Sequence, residues 1–263
     1  MFETLRVVGG RVLELGVHTN RLRASAAVLE IALPPDLEGC LQSALTQVCR
    51  ANGLDEPGMK VAVRVTASRG AVDGRDLRPP DEVTPNLVVQ AWRVDPPSPE
   101  LLQRGLALVV SGVRRDPTSP LATVKTTSRA EFVYARLEAQ RSGADDAVFL
   151  TTEGHLAEAT SASVFLVTRA GLTTPSLECG IIVGTTRYWV MSEGAPRLGM
   201  AVREGRLVPD ELFTADEVFL ASSVAGIVPV SSVDGRPIGD GKPGEVTMRL
   251  RALREASASG GRC

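Results

Sequence analysis

Lys125 lies in the segment Leu121-Ala-Thr-Val-Lys125-Thr-Thr-Ser-Arg129, and Glu158 lies in the segment Gly154-His-Leu-Ala-Glu158-Ala-Thr-Ser-Ala-Ser163. Small and hydroxyl-bearing residues surround both charges, which leaves room for a bound molecule. The two residues stand 158 − 125 = 33 positions apart, and the interval holds a helix-like run, a short apolar run and a turn. Taken singly, each charge is more often exposed on a surface, so its meaning depends on the rest of the chain.

A lysine and a carboxylate are the two groups that a pyridoxal 5′-phosphate enzyme needs most. The lysine amine can form a Schiff base with an aldehyde. The carboxylate can keep a pyridine nitrogen protonated, so that the ring accepts electrons from a carbanion. If Lys125 and Glu158 face one pocket, the sequence predicts an enzyme with this cofactor.

Three more segments offer groups that bind an anion. The segment Gly184–Arg187 opens a predicted helix, where backbone N–H groups and two hydroxyls suit a phosphate, although a plain helix cap is the simpler alternative. The segment Ser222–Ala225 follows an apolar strand and is either a phosphate or carboxylate site or an ordinary turn. Arg21 is either a charge on a helix surface or a phosphate ligand.

Composition excludes several other classes of protein. Hydrophobic residues make up 43% and charged residues 23%, the net charge is −2 and basic residues are scattered, so nothing indicates a nucleic-acid surface. No apolar run reaches the ~18–20 residues of a membrane helix, and the N-terminus lacks the layout of a signal peptide, so the cytoplasm is the default expectation. Four cysteines without a CxxC motif and only two histidines make a metal site, a disulfide or a Ser-His-Asp triad unexpected.

A proline-rich linker is predicted to divide the chain. Three prolines in Val94–Glu100 cannot continue a strand or a helix. We therefore expect a small domain over 1–93, a linker over 94–100, a larger cofactor-binding domain over 101–256 and a disordered tail over 257–263. Periodicity and turn signals predict a hairpin around Gly9–Gly10, strands at 61–65, 86–92, 106–111, 147–151, 164–167 and 217–221, and helices at 18–31, 36–52, 127–142, 185–198 and 242–256. This mixture indicates a two-domain α/β (α+β) fold.

Taken together, the segments resemble the fold-type IV pyridoxal phosphate enzymes, the class-IV aminotransferase family, over nearly the whole chain and in the same order. Lys125 and Glu158 match the family's Schiff-base lysine and pyridine-binding glutamate at the family's spacing. The other matching motifs are Phe2-Glu-Thr-Leu-Arg6, His18-Thr-Asn-Arg21-Leu22, Gly184-Thr185-Thr186-Arg187, Thr214-Ala-Asp-Glu217, and Gly239-Asp-Gly-Lys-Pro-Gly244 with Thr247. Motifs that occur together in register are far more specific than any one of them.

The resemblance implies a small N-terminal α/β domain, a larger barrel-like α/β domain, and a homodimer with its active site near the domain and subunit interface. It implies pyridoxal 5′-phosphate as the cofactor and a small amino compound as the substrate, with no metal, nucleic acid or membrane partner. The cofactor-binding set is Arg21, Lys125, Glu158, Gly184, Thr185, Thr186 and Ser223, with Lys125 as the catalytic residue. The substrate-binding set is Arg69, Arg75, Ser222, Val224 and Ala225. Its two arginines either bind carboxylates as bidentate donors or lie at a solvated hairpin tip.

Within the family, the residues favour one branch. Ala130 stands five residues after the lysine, where branched-chain aminotransferases have tyrosine, and Thr4 stands where they tend to have glycine. The Phe-Glu-Thr motif, Arg129 and Ser222–Val224 are more similar to the 4-amino-4-deoxychorismate lyase branch. The first prediction is therefore a lyase that forms 4-aminobenzoate and pyruvate. The alternative is a class-IV aminotransferase that acts on D-amino acids, branched-chain amino acids or (R)-amines.

Two departures from the family pattern carry expectations of their own. Family members usually have a strand and a loop ahead of the Phe-Glu-Thr motif with which this sequence begins. Either the start of the sequence is misassigned or trimmed, or the small domain lacks an edge strand and part of the substrate pocket. The second possibility gives a third hypothesis, a non-catalytic remnant or binding module. Ser163 stands where the family usually has asparagine, a difference that bears on loop geometry and not on the cofactor.

Overall fold

The computed structural model describes residues 1–71, 77–79 and 83–260, and the chain divides into two compact units. The first, called the small unit, holds Met1–Val94 and Val124–Thr127. The second, called the large unit, holds Asp95–Thr123 and the described residues from Ser128 onward. No helix in these described ranges is long and apolar enough to cross a membrane.

The small unit is a four-stranded antiparallel sheet with two helices. Its elements are β1 (Phe2–Val8), β2 (Arg11–Val12), α1 (Leu15–Val28), α2 (Leu37–Ala51), β3 (Lys60–Ser68) and β4 (Asn86–Arg93), and the strand order is β2-β1-β3-β4. Side chains alternate across each strand, so every second residue faces the helices. The core they form with the apolar stripe of α2 includes Leu5, Val7, Val61, Val63, Val65, Leu37, Leu41 and Leu45.

Local signals account for the start of this unit. Gly9 and Gly10 both have positive φ, 53° and 77°, which glycine adopts without a steric penalty and which a tight turn between β1 and β2 requires. Asp36 caps α2, accepting a hydrogen bond from the Gly39 N–H at 3.1 Å. The predicted hairpin and the predicted capped helix are both confirmed.

The large unit is built on a nine-stranded mixed sheet. Its strands are β5 (Leu106–Arg115), β6 (Asp146–Thr151), β7 (Leu156–Ala159), β8 (Ser163–Thr168), β9 (Gly171–Pro175), β10 (Val202–Gly205), β11 (Glu217–Ser222), β12 (Gly226–Val233) and β13 (Arg236–Pro237). Its helices are α3 (Pro99–Arg104), α4 (Ala130–Arg141), α5 (Thr185–Trp189), α6 (Ala195–Arg197), α7 (Asp210–Thr214) and α8 (Glu245–Ala258), with a 3₁₀ turn at Leu177–Cys179 and a π-helical turn at Val190–Gly194.

The large sheet curls into a half-barrel. Its strand order is β10-β9-β8-β11-β12-β5-β6-β7, with β13 paired to β12. Although β7 is last in this order, it lies close to β8 and β9 near the other end, and the Ala159 N–H donates to the Ala162 carbonyl at 2.8 Å. Apolar side chains from strands across the whole order share one core, among them Leu108, Val148, Leu156, Val164, Leu166, Val218, Leu220 and Val230. The α/β fold class predicted from the sequence is confirmed.

Several predicted element boundaries need correction. Helix α1 starts at Leu15 and not at His18, and α8 continues to Ala258, so the first two residues of the predicted tail are helical. Helix α3 starts at Pro99, inside the predicted linker, because proline is tolerated in a first turn and Ser98 caps the Leu101 N–H. The helix predicted over 185–198 is interrupted by the π-helical turn.

The segment that carries Lys125 also differs from its predicted placement. We expected it in the larger domain, but Val124–Thr127 groups with the small unit. Its backbone explains the grouping, since the Phe2 N–H donates to the Lys125 carbonyl at 3.0 Å and the Lys125 N–H donates to Ser25 Oγ at 3.4 Å. Hydrogen bonds between residues this far apart in sequence cannot be inferred from local patterns.

Candidate active site

Glu158 lies on β7, a short buried strand that the sequence did not predict, and not in an exposed loop. Its side chain is buried, with the residue 6% exposed. One carboxylate oxygen accepts the Ile182 N–H at 3.3 Å, and the other lies 3.6 Å from an Arg115 guanidinium nitrogen. A buried charge needs polar partners of this kind, because burial without them is strongly unfavourable.

Arg115, at the end of β5, is a residue that sequence reasoning missed. Its guanidinium donates to the Ala122 carbonyl at 2.8 Å and the Gly180 carbonyl at 3.2 Å, and it pairs with Glu131 at the start of α4. Since it also lies next to Glu158, Arg115 connects β5 with four other segments of the large unit. Its hydrogen-bond partners lie between 7 and 65 residues away and a lone arginine carries no motif, so no local signal could have identified it.

The predicted phosphate segment begins helix α5 and brings two of its residues against the β11–β12 turn. Thr185 Oγ1 lies 2.7 Å from Ser223 Oγ, so two hydroxyls predicted to bind the phosphate are in contact. Thr186 Oγ1 is buried and has no hydrogen-bond partner within the described residues. A Cβ on Gly184 would lie 2.6 Å from Ser163 Oγ, so a larger residue there would require the Ser163 hydroxyl to move.

This arrangement passes a test for binding a phosphate. Buried hydroxyls normally have a partner, and an unpaired one is an acceptable arrangement where a ligand supplies it. The Thr185–Ser223 pair, Thr186 and the backbone N–H groups at the start of α5 are the donors that a phosphate requires. Arg187 is not part of this set, because it donates to the Pro175 carbonyl at 3.1 Å and pairs with Glu204.

The turn that holds Ser222, Val224 and Ala225 is fixed by the C-terminal helix. Arg251, on α8, donates to the Ala225 carbonyl at 3.3 Å and to the Ile227 carbonyl at 2.7 Å. The turn joins β11 to β12, whose register ends at the Ser222–Gly226 pair. The predicted substrate residues of this turn therefore lie on a hairpin that hydrogen bonds from α8 hold in place.

In the small unit, Lys125 shares an aromatic neighbour with a second cation. Its Nζ lies 4.8 Å from the ring centroid of Phe2, and the guanidinium of Arg64, on β3, lies 4.0 Å from the same centroid. Such cation–π contacts stabilise positive charge next to an apolar ring. Sequence reasoning missed Arg64. The pattern around it, a charged residue between Val63 and Val65, indicates only a position on the other face of the strand.

Arg21 is held by two buried residues. Its Nε donates to Glu3 Oε1 at 2.7 Å and its Nη2 donates to Glu3 Oε2 at 2.5 Å, while His18 Nδ1 lies 2.7 Å from Glu3 Oε2. The predicted phosphate arginine is therefore not a solvated charge on a helix surface.

The two arginines predicted to bind substrate have different outcomes. Arg69 donates to the Glu30 carbonyl at 2.9 Å and to the Leu29 carbonyl, beyond the end of α1. These contacts attach Arg69 to the end of α1, and its role in binding substrate stays a prediction. Arg75 lies outside the described residues.

The chain belongs to the class IV amino-transferase family, whose model matches residues 1–233. A protein from Methanocaldococcus jannaschii, provisionally named branched-chain-amino-acid aminotransferase, is 33% identical over 95% of this chain and 84% of that protein. The D-alanine aminotransferase of Bacillus licheniformis is 29% identical over 98% of this chain and 87% of that enzyme.

Solved structures are similar over the same extent. The Escherichia coli branched-chain amino acid aminotransferase has a TM-score of 0.90 at 27% identity, covering 99% of this chain and 86% of that one. A protein of Legionella pneumophila, provisionally named 4-amino-4-deoxychorismate lyase, has a TM-score of 0.83 at 28% identity, covering 96% and 89%. The T.th. branched-chain amino acid aminotransferase, complexed with N-(5′-phosphopyridoxyl)-L-glutamate, has a TM-score of 0.85 at 30% identity, covering 99% and 85%.

These findings define the class of enzyme and its cofactor. The chain is a fold-type IV enzyme that depends on pyridoxal 5′-phosphate. The predicted cofactor is thereby confirmed. The likeness covers aminotransferases and a provisionally named lyase alike, so it does not by itself fix the reaction.

Proposed function

We propose that this enzyme is an aminotransferase that moves the amino group of an amino acid to a 2-oxo acid. The observation that carries the proposal is that the relatives matched over 95% and 98% of the chain are both named aminotransferases. Branched-chain amino acids and D-alanine are the first substrates to examine, because those relatives carry these names. The lyase reaction, our first expectation from the sequence, becomes the second candidate.

The residues of the chain have separate tasks in this proposal. Lys125 would hold the cofactor through its amine until the substrate amine displaces it. The freed Lys125 amine would then take the proton from the substrate α-carbon and deliver it to the cofactor carbon. Glu158 holds a proton on the pyridine nitrogen. Arg21, Gly184, Thr185, Thr186 and Ser223 would bind the phosphate. When bound, pyridoxal phosphate supplies the electron sink for the bond that breaks at the substrate.

Arg64 is a candidate for the substrate carboxylate. It shares the Phe2 ring with Lys125. An α-amino acid carries its carboxylate one carbon from its amine, so a guanidinium near the reactive amine suits this class of substrate, and an arginine binds a carboxylate through two parallel hydrogen bonds.

A substrate panel tests the proposed reaction. The purified enzyme is incubated with L-leucine, L-valine, D-alanine or an (R)-amine, each with 2-oxoglutarate or pyruvate, and the new amino acid is measured. We expect turnover that depends on the 2-oxo acid. Formation of 4-aminobenzoate and pyruvate from aminodeoxychorismate, without any need for a 2-oxo acid, would instead establish the lyase.

One sequence feature and one structural likeness support the lyase as the second candidate. Ala130 replaces the tyrosine that branched-chain aminotransferases have at this position, and the provisionally named lyase has a TM-score of 0.83 to this chain. Arg129, which also favoured this branch, donates to the Thr160 carbonyl at 2.5 Å and stacks on Phe132, so its position serves the fold of the large unit.

A homodimer is also part of the proposal. Three large apolar side chains on α4 support it, since Val133, Tyr134 and Leu137 are 57%, 50% and 40% exposed. Neighbouring apolar side chains exposed on one helix are typical of a surface that a second chain covers. Light scattering of the holoenzyme should give twice the mass of one chain, and a Tyr134→Glu variant should shift it toward the monomer.

A further inference from the structure

Glu3 stands at an unexpected place in the small unit. It alternates along β1 with Leu5 and Val7, so it occupies a position that faces the helices, and it is 1% exposed. A carboxylate at such a position is unfavourable unless it is paired and hydrogen-bonded, and an apolar residue of similar size often stabilises a core better. The presence of a carboxylate at this position therefore needs a reason beyond packing.

The side chain of Glu3 contacts one face of α1. Arg21 approaches with two nitrogens, Nε at 2.7 Å and Nη2 at 2.5 Å, one for each carboxylate oxygen. This two-point geometry fixes the plane of the guanidinium as well as its location, which a lysine cannot reproduce. His18 stands three residues before Arg21, on the same side of the helix, and holds Oε2 at 2.7 Å.

We propose that Glu3 is a positioning residue for Arg21: it fixes the guanidinium in the orientation that binds the cofactor phosphate, and His18 fixes Glu3 in turn. The inference rests on the proposed role of Arg21 and goes beyond it. A guanidinium has five N–H donors and Glu3 takes two of them, on adjacent nitrogens, so the carboxylate determines which direction the other donors face.

The charges of the cluster agree with this role. Burial raises the pKa of Glu3, but the hydrogen bonds from Arg21 and His18 outweigh it and bring this pKa down to about 2. Burial lowers the pKa of His18, which favours the neutral ring that donates from Nδ1. Glu3 therefore remains ionised at neutral pH, where its contact with Arg21 persists.

The test compares two ligands that differ only in the phosphate. Apoenzyme is titrated with pyridoxal 5′-phosphate and with pyridoxal, and the two Kd values are read from the quenching of tryptophan fluorescence. We expect Glu3→Gln to weaken binding of pyridoxal phosphate on the order of 10-fold or more, the size of a lost charged hydrogen bond, and to leave the Kd of pyridoxal unchanged. Glu38→Gln, on the exposed start of α2, removes the same charge from the same unit and should change neither value.

A purely structural role predicts a different result. If Glu3→Gln weakens both ligands equally, the proposal is overturned. If Glu3 acts through Arg21, the double variant with Arg21→Gln should bind pyridoxal phosphate no more weakly than Arg21→Gln alone, whereas additive losses would contradict the proposal. An Arg21→Gln variant that keeps the full preference for pyridoxal phosphate would overturn the phosphate role of Arg21 itself. If Glu3→Gln does not fold, Glu3→Asp, which keeps the charge but withdraws the carboxylate, replaces it in the same comparison.

Discussion

Two glutamates of the large unit, Glu158 and Glu217, differ in how they are held. Glu217, at the start of β11, is half-buried and accepts three hydrogen bonds from the first turn of α8, at 2.9 Å from the Val246 N–H, 2.8 Å from the Thr247 N–H and 2.7 Å from Thr247 Oγ1. Glu158 is more deeply buried, yet it accepts the Ile182 N–H at 3.3 Å and lies 3.6 Å from Arg115.

The difference is the one we expect between a carboxylate that supports the fold and one that we propose contacts the cofactor. Glu217 supplies the acceptor that helix N-termini need, so the helix and the carboxylate stabilise each other. The contacts of Glu158 with Ile182 and Arg115 are longer and weaker, and exchanging them for a donor on a ligand costs less free energy. Both residues belong to motifs of the same family, so motif membership alone does not distinguish the two roles.

The largest effect on catalysis should come from Glu158→Gln, which keeps the shape of the side chain and removes its charge. If the carboxylate holds the proton on the pyridine nitrogen, kcat should fall about 10²–10³-fold, the usual cost of losing one electrostatic contact at a reacting centre. The measurement is kcat at saturating amino donor with the bound cofactor quantified. Wild-type kcat at full cofactor content would contradict the role given to Glu158.

Arg115→Met tests whether the contacts of the Arg115 guanidinium beside Glu158 also stabilise the fold. The variant leaves Glu158 buried without its guanidinium and removes the donor from two backbone carbonyls. Breaking a buried pair from one side costs about 3–5 kcal/mol of unfolding free energy. Urea unfolding measures it, with Arg104→Met as the matched control, because the exposed Arg104–Asp145 pair should contribute less than about 1 kcal/mol. If both variants lost the same free energy of unfolding, the contacts of Arg115 would have no special role in stabilising the fold.

Unlike Glu158→Gln, Glu217→Ala should lower stability and leave kcat unchanged. Loss of a helix cap lowers the free energy of unfolding by about 1–2 kcal/mol, and kcat should not change. Gly244→Ala provides an independent approach to the same contact, because a Cβ there would lie 1.9 Å from Glu217 Cδ and would displace the carboxylate. Thermal unfolding should place both variants below the wild type. A fall in kcat as large as that of Glu158→Gln would remove the distinction between the two glutamates.

Features with a local physical cause were predictable from the sequence. The β1–β2 hairpin follows from two adjacent glycines, and helix α2 follows from the Asp36 cap and the apolar stripe that includes Leu41 and Leu45. The hydroxyls of Thr185 and Ser223 could be predicted as a pair only through the family resemblance, since 38 residues separate them.

Features that depend on contacts between distant segments were not predictable. Arg115 binds the carbonyl of Gly180, 65 residues away, and Glu3 binds a helix that begins after the first hairpin. Strand β7 has only four residues, too few to show the alternation that identifies a strand, and its pairing with β6 forms it. In such cases the tertiary partner determines the role of the residue, and the sequence around it carries no sign of that partner.

The smallest effect extends the comparison to Glu3, the buried glutamate of the small unit, through the dependence of stability on pH. The folded-state pKa of Glu3 is about 2 against 4.5 for an ordinary glutamate, and the pKa of His18 lies below its ordinary 6.5. At any pH between the folded-state pKa and the ordinary pKa of either residue, the unfolded chain therefore binds more protons than the folded chain. The contribution of these two residues to the free energy of unfolding is fully present above pH 6.5. The contribution of His18 is lost as the pH falls below 6.5, and that of Glu3 is lost as the pH falls from 4.5 to 2.

Urea unfolding at a series of pH values measures the slope, which is at most about 1.4 kcal/mol per pH unit for each proton. Glu3→Gln should flatten the profile below pH 4.5, because the residue that takes up the proton on unfolding is gone. Glu217→Gln is the comparison variant, since it removes a carboxylate whose partners are mainly backbone N–H groups of one helix. Parallel profiles for wild type and Glu3→Gln would mean that the Glu3–Arg21 contact does not hold the charge of the carboxylate, and the positioning role argued from that contact would lose its electrostatic support.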